Sequence, residues 1–306
     1  MKNHAKESLD TVVAAAGRIV LGKEKEIRLA LACLLARGHL LIEDLPGVGK
    51  TTLAHTLARV LGLQYQRIQF TSDLLPADIL GVAVFDQDSG RFRFQPGPIF
   101  AQLILADEVN RATPKAQSAL LEAMEEQQVS VEGETRPLPE PFFVIATQNP
   151  ASQIGTFPLP ESQLDRFTMR LSLGYPDLHA ERQLLAGEDR RDLLHGLAPV
   201  LDGAQLQALQ AEAGRVHAAD ALLDYLQALL ALSRQSPHFA HGLSPRAGLS
   251  LLHSARAWAL MAGRDHVLPE DLQTVLPHVV GHRLQAAEAG GDAQRLVALL
   301  QAVPIP

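Results

Sequence analysis

The chain has 306 residues, 47% of them hydrophobic and 5% aromatic, with a formal net charge of −7. That length suits one large or two ordinary domains with a real core, and the acidic balance argues against a dedicated nucleic-acid binder. A single cysteine, Cys33, excludes a disulfide framework within the chain and fits a reducing, cytoplasmic setting; no stretch reads as a secretory signal or a membrane span.

Residues from about Glu7 to Ala36 read as two helices, broken near Val20-Leu21-Gly22, with Cys33 in the apolar core. His39 to Glu43 is a strand. It runs into Asp44-Leu45-Pro46-Gly47-Val48-Gly49-Lys50-Thr51-Thr52, and an apolar segment at helical spacing follows to Leu63. Strand, glycine turn, Lys-Thr and helix form the layout of a phosphate-binding loop. Backbone N–H groups at such a helix start face a bound anion, and the helix dipole favours negative charge there. Gly47 and Gly49 let the backbone curl without a Cβ in the way. Lys50 reaches the outer phosphates, and the Thr51 hydroxyl is placed for Mg²⁺. One departure stands out: Asp44 occupies the place where this motif usually begins with Gly.

Tyr65 to Phe70 is a second strand. Val82 to Phe85 and Phe92 to Phe94 pair as a hairpin about the turn Phe85-Asp86-Gln87-Asp88-Ser89-Gly90. Leu103 to Asp107 is wholly apolar until its terminal acid, as expected of a central parallel strand. Pro114 to Glu125 is an amphipathic helix. Gln128 to Val131 and Thr135 to Leu138 form a second hairpin around Glu132-Gly133-Glu134. Phe142 to Thr147 and Phe167 to Leu173 are the remaining strands. Beyond Gly174-Tyr175-Pro176-Asp177 the pattern is helical: Leu178–Ala186, Gly203–Ala213, Asp220–Ser233, Pro245–Ala262 and Pro269–His278. The fold expected is an α/β three-layer parallel sheet over residues 1–175, with hairpin insertions at about 72–98 and 127–140, followed by an all-helical lid over 176–306. The twelve histidines lack metal-ligand spacing.

A phosphate loop calls for a strand ending in a carboxylate that holds Mg²⁺, and Leu103-Ile104-Leu105-Ala106-Asp107-Glu108 supplies one. Asp107 would bind the metal through water. Glu108 is placed to polarise the water that attacks the γ-phosphorus. Surface acids capping a strand would look the same, so the pair gains its meaning from the loop. Asn149, in Ala146-Thr147-Gln148-Asn149-Pro150, would lie between the two motifs and hydrogen-bond both the water and a γ-phosphate oxygen; an ordinary Asn-Pro turn is the competing reading.

Together, Gly22, the phosphate loop, Asp107-Glu108, Asn149 and Leu164-Asp165-Arg166-Phe167 resemble the AAA+ ATPases. Leu45-Pro46-Gly47-Val48-Gly49-Lys50-Thr51, Gly97-Pro98-Ile99-Phe100-Ala101, Ala106 to Ala112, Gln117 to Glu126 and Leu159 to Phe167 look like the MoxR family within that helix-2-insert group, and the match covers nearly the whole chain. Relatives of this kind often carry an acid at the Asp44 place. The resemblance implies a homo-oligomeric ring, usually a hexamer, with ATP between subunits. Arg166 then matches the arginine finger that reaches a neighbour's γ-phosphate, a contact worth about 10³–10⁵ in rate. Arg246 matches the lid's second sensor, expected to touch phosphate of its own subunit. Val20, Leu21 and Gly22 would border the adenine, while Pro46 to Thr52 hold the phosphates. The hairpins would project toward the pore or face of the ring.

The function implied is an ATP-hydrolysing remodeller that matures or activates a partner complex, typically through a protein with a von Willebrand factor A domain. The alternatives are the ATPase subunit of a magnesium-chelatase-like complex, a nucleic-acid motor or loader, and a scaffold that binds ATP without turnover. The motif stretches fit MoxR better than a chelatase, the net acidity opposes the motor, and the intact Lys50, Asp107, Glu108 and Arg166 oppose the scaffold.

Overall fold

A computed structural model of the chain describes residues 2–88, 90–149, 155–187, 189–287 and 293–305. Ser89 of the first hairpin turn and Pro150 of the Asn-Pro pair lie outside the described residues. Helices α1 (Lys2–Gly17) and α2 (Glu24–Leu35) lead into strand β1 (Leu40–Glu43), helix α3 (Lys50–Val60) and strand β2 (Tyr65–Gln69). A short helix α4 (Pro76–Leu80) precedes the hairpin β3 (Gly81–Asp86) and β4 (Arg91–Pro96). Strand β5 (Leu103–Asp107), helix α5 (Pro114–Glu126), the hairpin β6 (Gln128–Val131) and β7 (Glu134–Pro137), and strand β8 (Phe143–Gln148) follow. A single turn α6 (Glu161–Leu164) then precedes β9 (Met169–Leu171).

Among the described residues β1, β2, β5, β8 and β9 form one parallel sheet in the order β2-β5-β8-β1-β9. Its central strands β1, β5 and β8 are apolar up to the polar residues at their carboxyl ends, because both faces are covered. Alternate residues serve different layers. Leu40, Ile42, Leu103, Leu105, Phe143 and Ile145 face α1, α2 and α3. Leu41, Ile104, Ala106, Val144 and Ala146 face α5 and the segment around Ile79. All are fully buried or nearly so, and cutting a Leu or Ile here to Ala costs about 2–5 kcal/mol.

The helical part comprises α7 (Leu178–Ala186), α8 (Arg190–His195), α9 (Gly203–Gly214), α10 (Asp220–Gln235), α11 (Pro245–Met261), α12 (Pro269–Val280) and α13 (Ala293–Gln301). Pro245 begins α11, and Ser244 caps it by accepting from the Ala247 N–H. The larger apolar core runs across residue 175: Leu9, Leu31 and Leu57 belong to the same cluster as Leu251, Leu272 and Leu276.

Three local expectations change. The last strand is Met169–Leu171 rather than Phe167 to Leu173. Phe167 turns into the opposite core layer, and Thr168 crosses Gly38 so closely that a Cβ there would lie 2.1 Å from the Thr168 hydroxyl. The second hairpin closes with a two-residue turn, Glu132-Gly133, both at positive φ (54° and 81°), which matches the strand twist and draws Glu134 into the ladder. Helices α8 and α13 were not foreseen. No helix among the described residues is long and apolar enough to cross a membrane.

Candidate active site

The site is built where β1, β5 and β8 end. β1 gives way to the glycine loop, whose Gly47 and Gly49 have φ of 83° and 98°. A side chain is disfavoured there by backbone conformation, and open space surrounds both positions. Gly49 precedes the first turn of α3, and no side chain caps that turn. Its leading N–H groups therefore point into the loop without a side-chain partner, the condition for anion binding. Pro46 and Gly47 are exposed, Val48 is half-buried against the core, and Thr51 and Thr52 are partly exposed on the first turn of α3.

Lys50 is only 8% exposed. Its Nζ donates to the Asp44 carbonyl at 2.6 Å and to Asn149 Oδ1 at 3.0 Å. Burial pulls its ammonium below the ordinary lysine range, against the attraction of Asp44, Asp107 and Glu108. Asn149 donates through Nδ2 to Glu108 Oε1 at 3.1 Å. Cation, amide and carboxylate thus lie in one line. The strand order explains it: β8 lies between β5 and β1, so Asn149 falls between Glu108 and Lys50, as the sequence predicted.

Glu108 has φ 56° and ψ 48°, a left-handed backbone that a glutamate adopts at some cost. Its amide donates to the Thr147 hydroxyl at 2.9 Å, which fixes the turn. Two groups that sequence reasoning missed hold its carboxylate: Gln69 Nε2 at 3.0 Å and Arg111 at 2.9 Å, both on Oε2. Asp107 is 7% exposed. Thr147 donates to its Oδ1 at 2.5 Å, and Arg67 donates twice to its Oδ2, at 2.6 and 3.1 Å. Arg67 and Gln69 alternate on one face of β2, whose register sets Gln69 beside Asp107. That period-two polar pair beside an acid-ended strand was the available signal.

The oxygen donors of Thr51 and Asp107 are the hard set that Mg²⁺ takes, and the uncapped helix start suits polyphosphate, so the residues present fit ATP with Mg²⁺. At the turn expected to border the adenine, Val20 is buried, Leu21 half-buried and Gly22 exposed. Gly22 has φ 68°, and a Cβ on it would meet Ala180 of α7 at 2.9 Å.

Arg246 is not where the sequence put it. Its guanidinium pairs with Glu125, and it lies 3.8 Å from Asp165. Arg166 faces the same Glu125 at 4.0 Å. This cluster sits at the opposite edge of the sheet, where strands begin. Thr168 donates to the His39 carbonyl just before β1, and His39 bonds the carbonyl of Met124, next to Glu125. The lid docks there because Arg283 donates to Asp165 Oδ1 at 2.7 Å and to the Phe167 carbonyl at 2.7 Å. Contact of Arg246 with phosphate on its own chain is thereby corrected: the sheet stands between them.

A family model described as the ATPase family associated with various cellular activities (AAA) matches residues 39–169, and an AAA lid domain model matches residues 231–302. Chaperone MoxR1 of Mycobacterium tuberculosis is 40% identical over 291 residues, covering 90% of this chain and 75% of that protein. The chain belongs to the MoxR family of AAA ATPases. Uncharacterized protein YeaC of Bacillus subtilis is 43% identical over 303 residues, covering 97% of this chain and 95% of that protein. The crystal structure of a Cytophaga hutchinsonii protein provisionally assigned as an ATPase matches with a TM-score of 0.91 and 34% identity, across 99% of this chain and 96% of that one. MoxR membership supplies ATPase activity at the level of the family.

Proposed function

We propose that the chain is a ring-forming ATPase that hydrolyses ATP to ADP and phosphate and uses the cycle to remodel a partner protein. The observation that carries this reading is the hydrogen-bonded line from Lys50 through Asn149 to Glu108 at the mouth of an uncapped helix. The loop amides of Gly47 to Thr52 and Lys50 hold the β- and γ-phosphates. Glu108 takes up a proton from the attacking water, and Asn149 orients that water against the γ-phosphate. Thr51 and Asp107 would hold Mg²⁺, which supplies charge neutralisation on the phosphate oxygens.

Arg166 and Arg246 serve in trans. They share Glu125 at the far edge of their own sheet, so the phosphate they can reach belongs to a neighbour. That requirement favours a ring, which the family resemblance gives as a hexamer. The relatives named chaperone and MoxR set the remodeller ahead of a chelatase subunit and of a nucleic-acid motor. A protein with a von Willebrand factor A domain is the partner class the resemblance suggests, and a cytoplasmic setting suits both the ATP substrate and the single buried Cys33. The exposed Phe85 and Phe92 on the first hairpin, 5.3 Å apart, offer the client an aromatic contact.

Phosphate release from MgATP tests the reading. Wild type should turn over, Glu108→Gln should bind ATP without release, and Lys50→Ala should lose binding. Unchanged steady-state release by Glu108→Gln would remove Glu108 from its role. Affinity capture with Glu108→Gln in ATP, followed by mass spectrometry, identifies the client.

A further inference from the structure

Asp44 occupies the first position of the phosphate loop, where glycine is usual, and its backbone has no positive φ that would call for one. The side chain is only 8% exposed and accepts from donors on every side. Oδ2 accepts from the Leu173 N–H at 2.6 Å, the Gly174 N–H at 2.7 Å and the Ser172 hydroxyl at 3.0 Å. Oδ1 accepts from the Leu45 N–H at 2.8 Å. Burial alone would raise this carboxyl, but the Gly174, Leu45 and Ser172 donors hold it below the usual aspartate range. Meanwhile its main chain touches the chemistry directly: the carbonyl accepts from Lys50, and the N–H donates to the Gln148 carbonyl at 3.3 Å, one residue before Asn149.

The segment that Asp44 grips leads straight to the base side. From Gly174 (φ 61°) the chain passes Tyr175, whose carbonyl accepts from Lys23 at 2.9 Å. It then reaches Asp177, which caps α7 by accepting from the Ala180 N–H, and Ala180 packs on Gly22. A strap of residues 172–180 therefore joins the phosphate loop to the Val20-Leu21-Gly22 turn, with Asp44 as its anchor.

We infer that Asp44 is a positioning residue of the nucleotide site: its carboxylate fastens the 172–180 strap to the phosphate loop, so that the pocket for the base is held in register with the pocket for the phosphates. This rests on reading the loop as an ATP site. Its selectivity follows from which bonds a substitution removes. The two main-chain bonds to Lys50 and Gln148 survive any side-chain change. The strap bonds do not, because an amide at this place turns one acceptor oxygen into a donor facing N–H groups. Adenine nucleotide must feel the loss, and a bare polyphosphate must not.

The test compares binding of a fluorescent ADP analogue and of inorganic tripolyphosphate to the full-length protein. Asp44→Asn should weaken the ADP analogue by about tenfold or more, the scale of lost hydrogen bonds to a charged group, and leave tripolyphosphate within about threefold. Ser172→Ala removes one strap bond without touching the loop; it should weaken the ADP analogue alone, by about two- to fivefold. Equal weakening of both ligands overturns the inference, since Asp44 would then serve only the loop. Unchanged ADP binding in both variants also overturns it. If Asp44→Asn fails to fold, as judged by circular dichroism, the Ser172→Ala result decides. A wild type that binds neither ligand would strike the ATP-site reading itself rather than the role of Asp44.

Discussion

Lys50 Nζ sits 3.0 Å from Asn149 Oδ1, which fixes the orientation of that amide: its oxygen faces the cation and its nitrogen faces Glu108. An amide is the side chain that can satisfy a donor on one side and an acceptor on the other without carrying charge. We expect Asn149→Ala to lower kcat for ATP about 10²-fold, the usual cost of a lost charge-stabilising or orienting donor. ADP affinity, by fluorescence titration, should change only a few-fold. Asn149→Asp should fare no better, because its second oxygen would face the Glu108 carboxylate. A kcat within twofold of wild type for Asn149→Ala would remove the residue from the reaction.

Arg166 and Arg246 are both expected to act across subunits. Either Arg→Ala change should reduce hydrolysis by about 10²-fold or more, up to the 10³–10⁵ of a full arginine finger, while each protomer still binds nucleotide. Mixing Arg166→Ala with Glu108→Gln protein should recover part of the activity, because some interfaces then pair an intact arginine with an intact glutamate. Sizing by light scattering must show equal assembly. No recovery in intact assemblies would place the arginine's action within its own chain.

Arg67 already holds the Asp107 oxygen that Thr147 leaves open, at 2.6 Å. A divalent cation, or the water it carries, must share that oxygen with a guanidinium. Arg67 is about half exposed, so the competition is modest. We expect Arg67→Ala to tighten Mn²⁺ binding in the ADP complex by about two- to fivefold, read by electron paramagnetic resonance. Weaker metal binding would mean that Arg67 orients the acid instead of competing for it.

His39 is a structural histidine with a pH signature. Its ring joins three elements: Nδ1 accepts from the Val144 N–H at 3.0 Å, which leaves Nε2 to donate to the Met124 carbonyl at 3.2 Å. The Val144 bond needs the neutral ring, because a protonated Nδ1 cannot accept. Burial pushes its pKa down to about 4 from an ordinary 6.5. The unfolded chain thus takes up a proton as pH falls through 6.5, and the folded chain waits until about 4. Stability should be level above 6.5 and fall across that window, by on the order of 3 kcal/mol from this residue. His282, buried and also lowered, adds a loss of the same sign. Urea unfolding between pH 7.5 and 5 measures the slope, and His39→Leu should flatten it while lowering the plateau.

The parts of this molecule that were legible in the sequence are those set by local pattern. Unbroken apolarity in Leu103 to Ala106 marked a covered central strand, and alternation over Arg91 to Phe94 marked a hairpin. The loop glycines announced themselves because only backbone freedom explains them in that setting. Asn149 was found because its strand ends like its neighbours. What could not be read depends on contacts between distant segments. Arg246 was misplaced because nothing near it in the chain tells that Arg283 will fasten the lid to Asp165 at the far edge. Nothing in Tyr65 to Phe70 alone singles out Arg67 and Gln69; the register of β2 with β5 brings Asp107 and Glu108 beside them. Asp44 looked like a blemish because its partners lie about 130 residues away in Ser172 to Gly174.

The Lys50 line and the Arg166–Arg246 pair stand at opposite ends of the same strands, too far round the sheet for one chain to close on itself. If the arginines act on a neighbour, stoichiometry follows from geometry. Joined head to tail, two protomers complete one site and leave one loop and one arginine pair idle. A linear row of any length always wastes one of each, and only a closed circle wastes none. Activity per chain should then rise with assembly size and step upward at closure, so that dilution silences the protein before any chain unfolds.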